Sequence, residues 1–472
     1  MTANSTVGLI GLGTMGAALA LNIAENGFRI SVFNRTTSVV DEFVSTAGEL
    51  AEQIVPTRSL TEFVASLQRP RTIILMVPAG PVVDAQIEAL RGYLDAGDLV
   101  IDAGNANYHD TNRRMEEAAQ APYSFLGVGV SGGEDGARHG PSIMVGGQQD
   151  DWLRVAPMLK SISAKYEDES CADYMGAGGA GHFVKMVHNG IEYADMQMIA
   201  EGYSLMSHGM SLPLEQIAAA FDEWNKGPLS SYLIEISGQI AHSRDRHTGA
   251  PILDVILDRA GQKGTGRWTA IEAQHLGVAV PVIEAAVCAR NLSAGIDNRA
   301  AGAAAFGELP DAGGASTDLT LAELEQALIA GKILCYAQGF DMLAAASSQF
   351  DWDLPMDRIA KVWRNGCIIR SDMLNEMAQA LADKNAPLLI FSEPFTEMLR
   401  KAEPALRKTV QCAIAAGIAV PALSAGLSWF DTIRTRRSSA NVIQAQRDFF
   451  GAHGFERTDA IDDPHGPWSS NS

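Results

Sequence analysis

Cysteine is scarce and scattered. The five residues (Cys171, Cys288, Cys335, Cys367, Cys412) are odd in number and form no CxxC pair. Neither a disulfide framework nor a zinc site is therefore expected, no metal centre is proposed, and a reducing, cytoplasmic location fits best. Positive charge is also in short supply. A net charge of −20 excludes nonspecific nucleic-acid binding and docking on anionic lipid. An anionic small molecule would need a local cluster of Lys and Arg. No uninterrupted apolar run approaches the roughly 20 residues of a membrane helix. Met1 to Thr6 lacks a basic n-region followed by an apolar stretch, so no signal peptide is expected. The chain is too long for one core, so two or three domains are expected.

What is present begins at the N-terminus. The apolar run Val7–Ile10 leads into Gly11-Leu12-Gly13-Thr14-Met15-Gly16 and then into a helical pattern that stops at Asn26-Gly27. This is strand, glycine turn, helix. Gly11 permits the tight turn, Gly13 lets a pyrophosphate approach the backbone, and Gly16 allows close helix–strand packing. The second strand, 28–33, ends in Asn34-Arg35-Thr36 rather than in the carboxylate that grips a ribose 2′-hydroxyl in NAD enzymes. Arg35 can fork onto a 2′-phosphate, which favours NADP. The alternative is a solvated Arg35 with Asp41 at the ribose, but Asp41 falls in the following helix.

Further strands are expected at 72–77, 99–102, 124–130 and 142–145, with helices such as 82–94 and 111–121 between them. That alternation is doubly wound α/β, whose ligands bind beyond the carboxyl ends of the strands. Two loops stand there. One is Ala103-Gly104-Asn105. The other, Ser131 to Gly136, is either a carboxylate nest or a flexible connector.

After the glycine-rich stretch 176–181, strand signals fade and periods of three to four dominate, as in 214–224, 319–346, 356–365 and 395–416. The fold class is thus a Rossmann-like α/β domain (1–178), a large all-α domain (179–437) and a C-terminal tail (438–472). Near the start of the helical part, Lys185, His188, Asn189 and Glu192 fall at i, i+3, i+4 and i+7, one face of a helix. Such a stripe is either a solvated Lys/Glu face or a set of groups that holds and deprotonates an anionic substrate. The loop 260–268 offers Lys263 and Thr265 among glycines, a composition that suits a phosphate without matching a Walker A loop.

Four segments together carry a family resemblance: 130–138, 181–193, 260–268 and the tail 444–453. Over essentially its whole length the chain resembles the 6-phosphogluconate dehydrogenases, the decarboxylating, long-chain, dimeric enzymes of the pentose phosphate pathway. The resemblance implies that Lys185 is the general base toward the C3 hydroxyl and Glu192 the general acid toward C1. It implies substrate contacts from Ser131, Gly132, Gly133, His188 and Asn189. Asn105 falls at the substrate–nicotinamide junction, and Tyr193, Lys263, Thr265 and Arg290 fall in the phosphate pocket. Arg447 and His453 match tail residues supplied by the partner subunit, which implies a homodimer. The residues expected at the cofactor are the Gly11–Gly16 turn, Asn34, Arg35, Thr36, Val77 and Asn105. The chain departs from the family pattern at Gly13, Pro78 and Ala106, none of them the proposed acid or base.

A lysine base imposes a requirement. An ordinary amine titrates near ~10.4, so Lys185 must fall by roughly three pH units to be neutral near pH 7, about 4 kcal/mol of environment. Two other readings compete. One is a dehydrogenase for another small β-hydroxy acid, such as 3-hydroxyisobutyrate, whose enzymes share the glycine turn but are much shorter. The other is an inactive NADP sensor.

Overall fold

The computed structural model describes residues 4–307, 317–383 and 388–468. Residues 1–3, part of the segment read for a leader, and the end of the tail, 469–472, lie outside the described residues.

The first domain is an eight-stranded sheet wrapped by helices. Its strands are β1 (Val7–Ile10), β2 (Ile30–Phe33), β3 (Ile54–Pro56), β4 (Thr72–Leu75), β5 (Asp98–Asp102), β6 (Tyr123–Val130) and β7 (Ile143–Gly147). A small β8–β9 hairpin (Lys165–Tyr166, Glu169–Ser170) precedes the last sheet strand, β10 (Ala172–Gly176). The order is β10-β7-β6-β5-β4-β1-β2-β3. All neighbours run parallel except β6 and β7, which pair antiparallel. Parallel strands are covered on both faces, which is why β1, β4 and β5 are buried at every position.

β3, the β8–β9 hairpin and β10 were not expected from sequence. β3 has three residues. β10 leaves Asp173 and Tyr174 half-buried and so lacks a clean apolar signature.

The helical domain opens with the 25-residue helix Ala180–Ser204. It lies directly on the sheet. A Cβ on Gly129 of β6 would stand 2.5 Å from the Lys185 Cβ, and one on Gly181 would stand 2.5 Å from the Gly146 nitrogen of β7. Absent side chains at these points bring the helix backbone onto the strands and fix the direction of Lys185.

The helix Leu321–Gln349 corrects the membrane expectation in one respect. By length and composition alone it could span a bilayer, but its most apolar 18-residue window is 89% buried inside the protein. Lys332 on this helix donates to Asp195 Oδ2 on the Ala180–Ser204 helix at 2.9 Å, so the two are pinned by a buried ion pair. The tail forms the helix Ala440–Gly451, with Val442, Ile443, Phe449 and Phe450 exposed. Asp448 gathers the end of the tail. It accepts from the Gly454 and Gly466 amides, from Trp468 Nε1 at 2.8 Å and from His465 Nδ1 at 2.7 Å.

Candidate active site

The expected stripe lies on one face of the Ala180–Ser204 helix, turned toward the end of β6. Lys185 Nζ donates to Asn189 Oδ1 at 2.7 Å and to Ser131 Oγ at 3.0 Å, and lies 3.4 Å from His188 Nδ1. Ser131 Oγ is also 3.3 Å from His188 Nε2. Asn189 Nδ2 donates to Thr265 Oγ1 at 2.8 Å. Lys185, His188, Asn189, Ser131 and Thr265 are all buried, while the Glu192 side chain keeps 18% of its surface. The solvated Lys/Glu face is therefore excluded. Glu192 Oε2 lies 3.9 Å from His188 Nδ1 on this stripe.

Burial sets the electrostatics. Desolvation pushes the Lys185 amine below its ordinary value, and the nearby Glu192 carboxylate only partly opposes this. The same burial pushes the Glu192 carboxyl upward against the pull of Lys185 and Arg290. Burial and the Lys185 charge hold His188 well below the usual imidazole range, so it stays neutral. Burial thus shifts the amine toward its neutral form and the carboxyl toward its protonated form, the two forms that a base and an acid need before reaction.

Ser131 to Gly136 is not a flexible connector. Gly132 sits at φ +106, a left-handed turn residue, and the short helix Gly133–His139 starts at once. A Cβ at Gly132 would stand 2.5 Å from the Gly366 carbonyl oxygen, so the loop is wedged against the helical domain. The Ala103-Gly104-Asn105 loop is also fixed. Asp102 Oδ1 accepts from the Gly104 amide at 3.1 Å and its Oδ2 accepts from Arg114 at 3.2 Å. Asn105 itself is exposed.

The glycine turn is built for a dinucleotide. Gly11 sits at φ +101, and a Cβ on Gly16 would stand 1.9 Å from the Gly11 carbonyl oxygen. At Gly13, which caps the helix Thr14–Glu25, a Cβ would meet nothing within 4 Å. That open space lies at a helix N-terminus, where a pyrophosphate fits. The Leu12 amide donates to Asn34 Oδ1 at 3.1 Å, and Asn34 Nδ2 donates to the Thr36 carbonyl. Asn34 thus ties the turn at Leu12 to the end of β2, and Thr14 and Met15 open the helix that follows. Arg35 and Thr36 are exposed beside it, and Val77, just past β4, is half-buried. Asp41 lies on the helix Thr37–Thr46, as expected, and is paired with Arg58 at 2.7 Å.

The phosphate-pocket candidates gather in part. The Arg290 guanidinium stacks over the Tyr193 ring at 3.6 Å and donates to the Gly261 carbonyl at 3.0 Å. Arg290 is thus packed against Tyr193, the residue that follows Glu192. The Thr265 hydroxyl accepts from Asn189 and keeps its own proton to donate. Lys263 is exposed on the loop. Arg447 and His453 are exposed on the tail. Arg447 bonds to Gln444, His453 stacks edge-on against Phe450, and neither contact reaches the Lys185 cluster.

Sequence reasoning missed two neighbours. Cys367 is buried close enough to Lys185 and Glu192 to feel both charges, and burial raises its thiol to about 12. Thr269 donates to the Met186 carbonyl at 2.7 Å, and a Cβ at Gly190 would stand 2.6 Å from it. A glycine inside an otherwise strong helix was the available signal for that close packing.

Known proteins extend the same pattern across the chain. The family model described as the NAD binding domain of 6-phosphogluconate dehydrogenase matches residues 6–176, and the one described as its C-terminal domain matches residues 181–468. The chain belongs to the 6-phosphogluconate dehydrogenase family. A Bacillus subtilis relative named 6-phosphogluconate dehydrogenase, NADP(+)-dependent, decarboxylating, is 46% identical over 98% of both chains. Another from the same organism, named as NAD(+)-dependent, is 44% identical over 98% of this chain and 99% of its own. The solved Plasmodium falciparum 6-phosphogluconate dehydrogenase, described in apo form and with its cofactor NADP+ or its substrate 6-phosphogluconate, is 38% identical. It covers 98% of this chain with a TM-score of 0.94. Members with either cofactor are nearly equally similar, so overall likeness within the family does not choose between NADP and NAD. That choice rests on the residues at the end of β2.

Proposed function

We propose that the protein converts 6-phosphogluconate to ribulose 5-phosphate and carbon dioxide with reduction of NADP, Lys185 acting as general base and Glu192 as general acid. The observation that carries this reading is the buried Lys185 amine, held among Ser131, His188 and Asn189 in a chain that family models match almost end to end. The glycine turn fits a dinucleotide pyrophosphate, and Asn34-Arg35-Thr36 fits a 2′-phosphate. When bound, the nicotinamide supplies the acceptor for the hydride that leaves C3.

The protein's own residues do the rest. The neutral Lys185 amine takes the proton of the C3 hydroxyl. The resulting ammonium stands beside the new C3 ketone and stabilises the enolate charge that develops as the β-keto acid loses carbon dioxide. The Glu192 carboxyl, whose protonated form burial favours, delivers a proton to C1 of the enediol. Ser131 and Asn189 hold the amine in place, and with Gly132, Gly133 and His188 they orient the substrate carboxylate and hydroxyls. Tyr193, Thr265, Arg290 and the exposed Lys263 receive the phosphate and offset the acidic background. The exposed apolar face of the tail helix suits burial against a second copy. In the homodimer we propose, Arg447 and His453 complete that copy's phosphate pocket.

Absorbance in the reduced-nicotinamide band tests the reading. NADP with 6-phosphogluconate should give reduced cofactor and carbon dioxide in equal amounts. Turnover of 3-hydroxyisobutyrate, with none of 6-phosphogluconate, would contradict it.

A further inference from the structure

Glu272 is a buried carboxylate that the chemistry above does not use. It sits on the helix Thr265–His275 of the helical domain, yet two of its three side-chain partners come from the nucleotide-binding domain. Its Oε2 accepts from the Tyr108 hydroxyl at 2.8 Å. Its Oε1 accepts from His109 Nε2 at 3.0 Å and from His275 Nδ1 at 3.3 Å. Tyr108 is itself buried, with its ring edge-on to Phe183 at 5.0 Å, so its hydroxyl has little freedom to seek another acceptor.

Both ends of this contact lead to the reacting groups. Tyr108 follows Asn105 by three residues in the same short segment. On the other side, the Thr265–His275 helix is bolted to the Lys185 turn twice, by Asn189 on Thr265 and by Thr269 on the Met186 carbonyl. Glu272 is the third bolt of that helix, and it crosses between domains.

We propose that Glu272 is a positioning residue. By clasping Tyr108 and His109 it sets the distance between the Asn105 segment, which borders the cofactor, and the helix that holds Asn189 and Lys185. This rests on the functional reading above. A misplacement of about 1 Å at such a junction can cost ~10²-fold in turnover, and it acts on kcat more than on substrate affinity.

A double-mutant cycle on the full-length enzyme tests the clasp. Glu272→Ala and Tyr108→Phe should each lower kcat by about 10-fold or more, with KM for 6-phosphogluconate changing far less. The double variant should be no slower than the slower single variant, because both remove one contact. Glu272→Gln keeps an acceptor oxygen for Tyr108 and should recover most of the lost kcat. Tyr108→Phe removes one hydroxyl and keeps the test open should Glu272→Ala fail to fold. Additive losses, or a lowered Tm with unchanged kcat, would overturn the clasp. A second measurement needs no substrate. Amide hydrogen exchange over residues 103–112 should speed up in Glu272→Ala, and unchanged exchange would overturn the proposal. A wild-type enzyme inactive on 6-phosphogluconate would sink the functional reading instead, leaving the exchange result to decide the clasp.

Discussion

Asn189 couples the Lys185 amine to Thr265: its Oδ1 accepts from Nζ at 2.7 Å while its Nδ2 donates to the threonine hydroxyl at 2.8 Å. The amide is neutral, so it orients the amine and favours its charged form far less than a carboxylate would. A carboxylate in its place would favour the ammonium. Asn189→Asp should therefore raise the Lys185 pKa and move the acid limb of kcat/KM upward by about one pH unit or more. A pH–rate profile measures this. An unmoved limb would detach the limb from Lys185.

Cofactor choice rests on Arg35 beside the Asn34-anchored turn. Removing the guanidinium costs its charge-assisted bonds to a 2′-phosphate, about 1.5–3 kcal/mol. Arg35→Ala should lower kcat/KM for NADP by about 10- to 100-fold and leave kcat/KM for NAD nearly unchanged. Parallel initial-rate series with the two cofactors measure the ratio. Equal losses would place the discrimination elsewhere.

The tail assignment predicts a selective effect. Arg447→Ala should raise KM for 6-phosphogluconate by ~10-fold or more, with KM for NADP changing little. A matching loss on both ligands would contradict a role at the phosphate.

Glu201 gives a stability prediction away from the chemistry. It is buried on the Ala180–Ser204 helix and accepts from the Ala422 and Leu423 amides at 2.8 and 3.0 Å. Burial raises its carboxyl to about 7 from 4.5. The folded state therefore holds more protons than the unfolded chain between those values. The stability contribution is full at acid pH and is lost as pH rises through about 7. On the order of 3 kcal/mol should disappear across that window. Denaturant unfolding at a series of pH values should show this slope in the wild type and not in Glu201→Gln.

Much of this was legible in the sequence, for physical reasons. β1 follows from an apolar run buried on both faces, and the glycine turn from Gly11 and Gly16, where a side chain has no room. The face formed by 185, 188, 189 and 192 follows from helical period alone. The helix expected at 111–121 begins at Tyr108 instead, because Asn107 caps it by accepting from the His109 amide at 2.9 Å. What stayed hidden depends on long-range approach. Glu272 meets Tyr108 across 164 positions, and the Asn189–Thr265 bond spans 76. Local pattern carries no trace of such pairs. Thr265 read as a phosphate ligand from its glycine-rich setting, and its bond to Asn189 emerges only from the fold.

The central claim is an amine at position 185 that burial keeps easy to deprotonate. Nuclear magnetic resonance titration of isotope-labelled lysine side chains, with the Lys185 signal identified by its loss in Lys185→Arg, measures this directly. The account predicts that Lys185 titrates clearly below the ordinary 10.5. A value at or above 10.5 would contradict it.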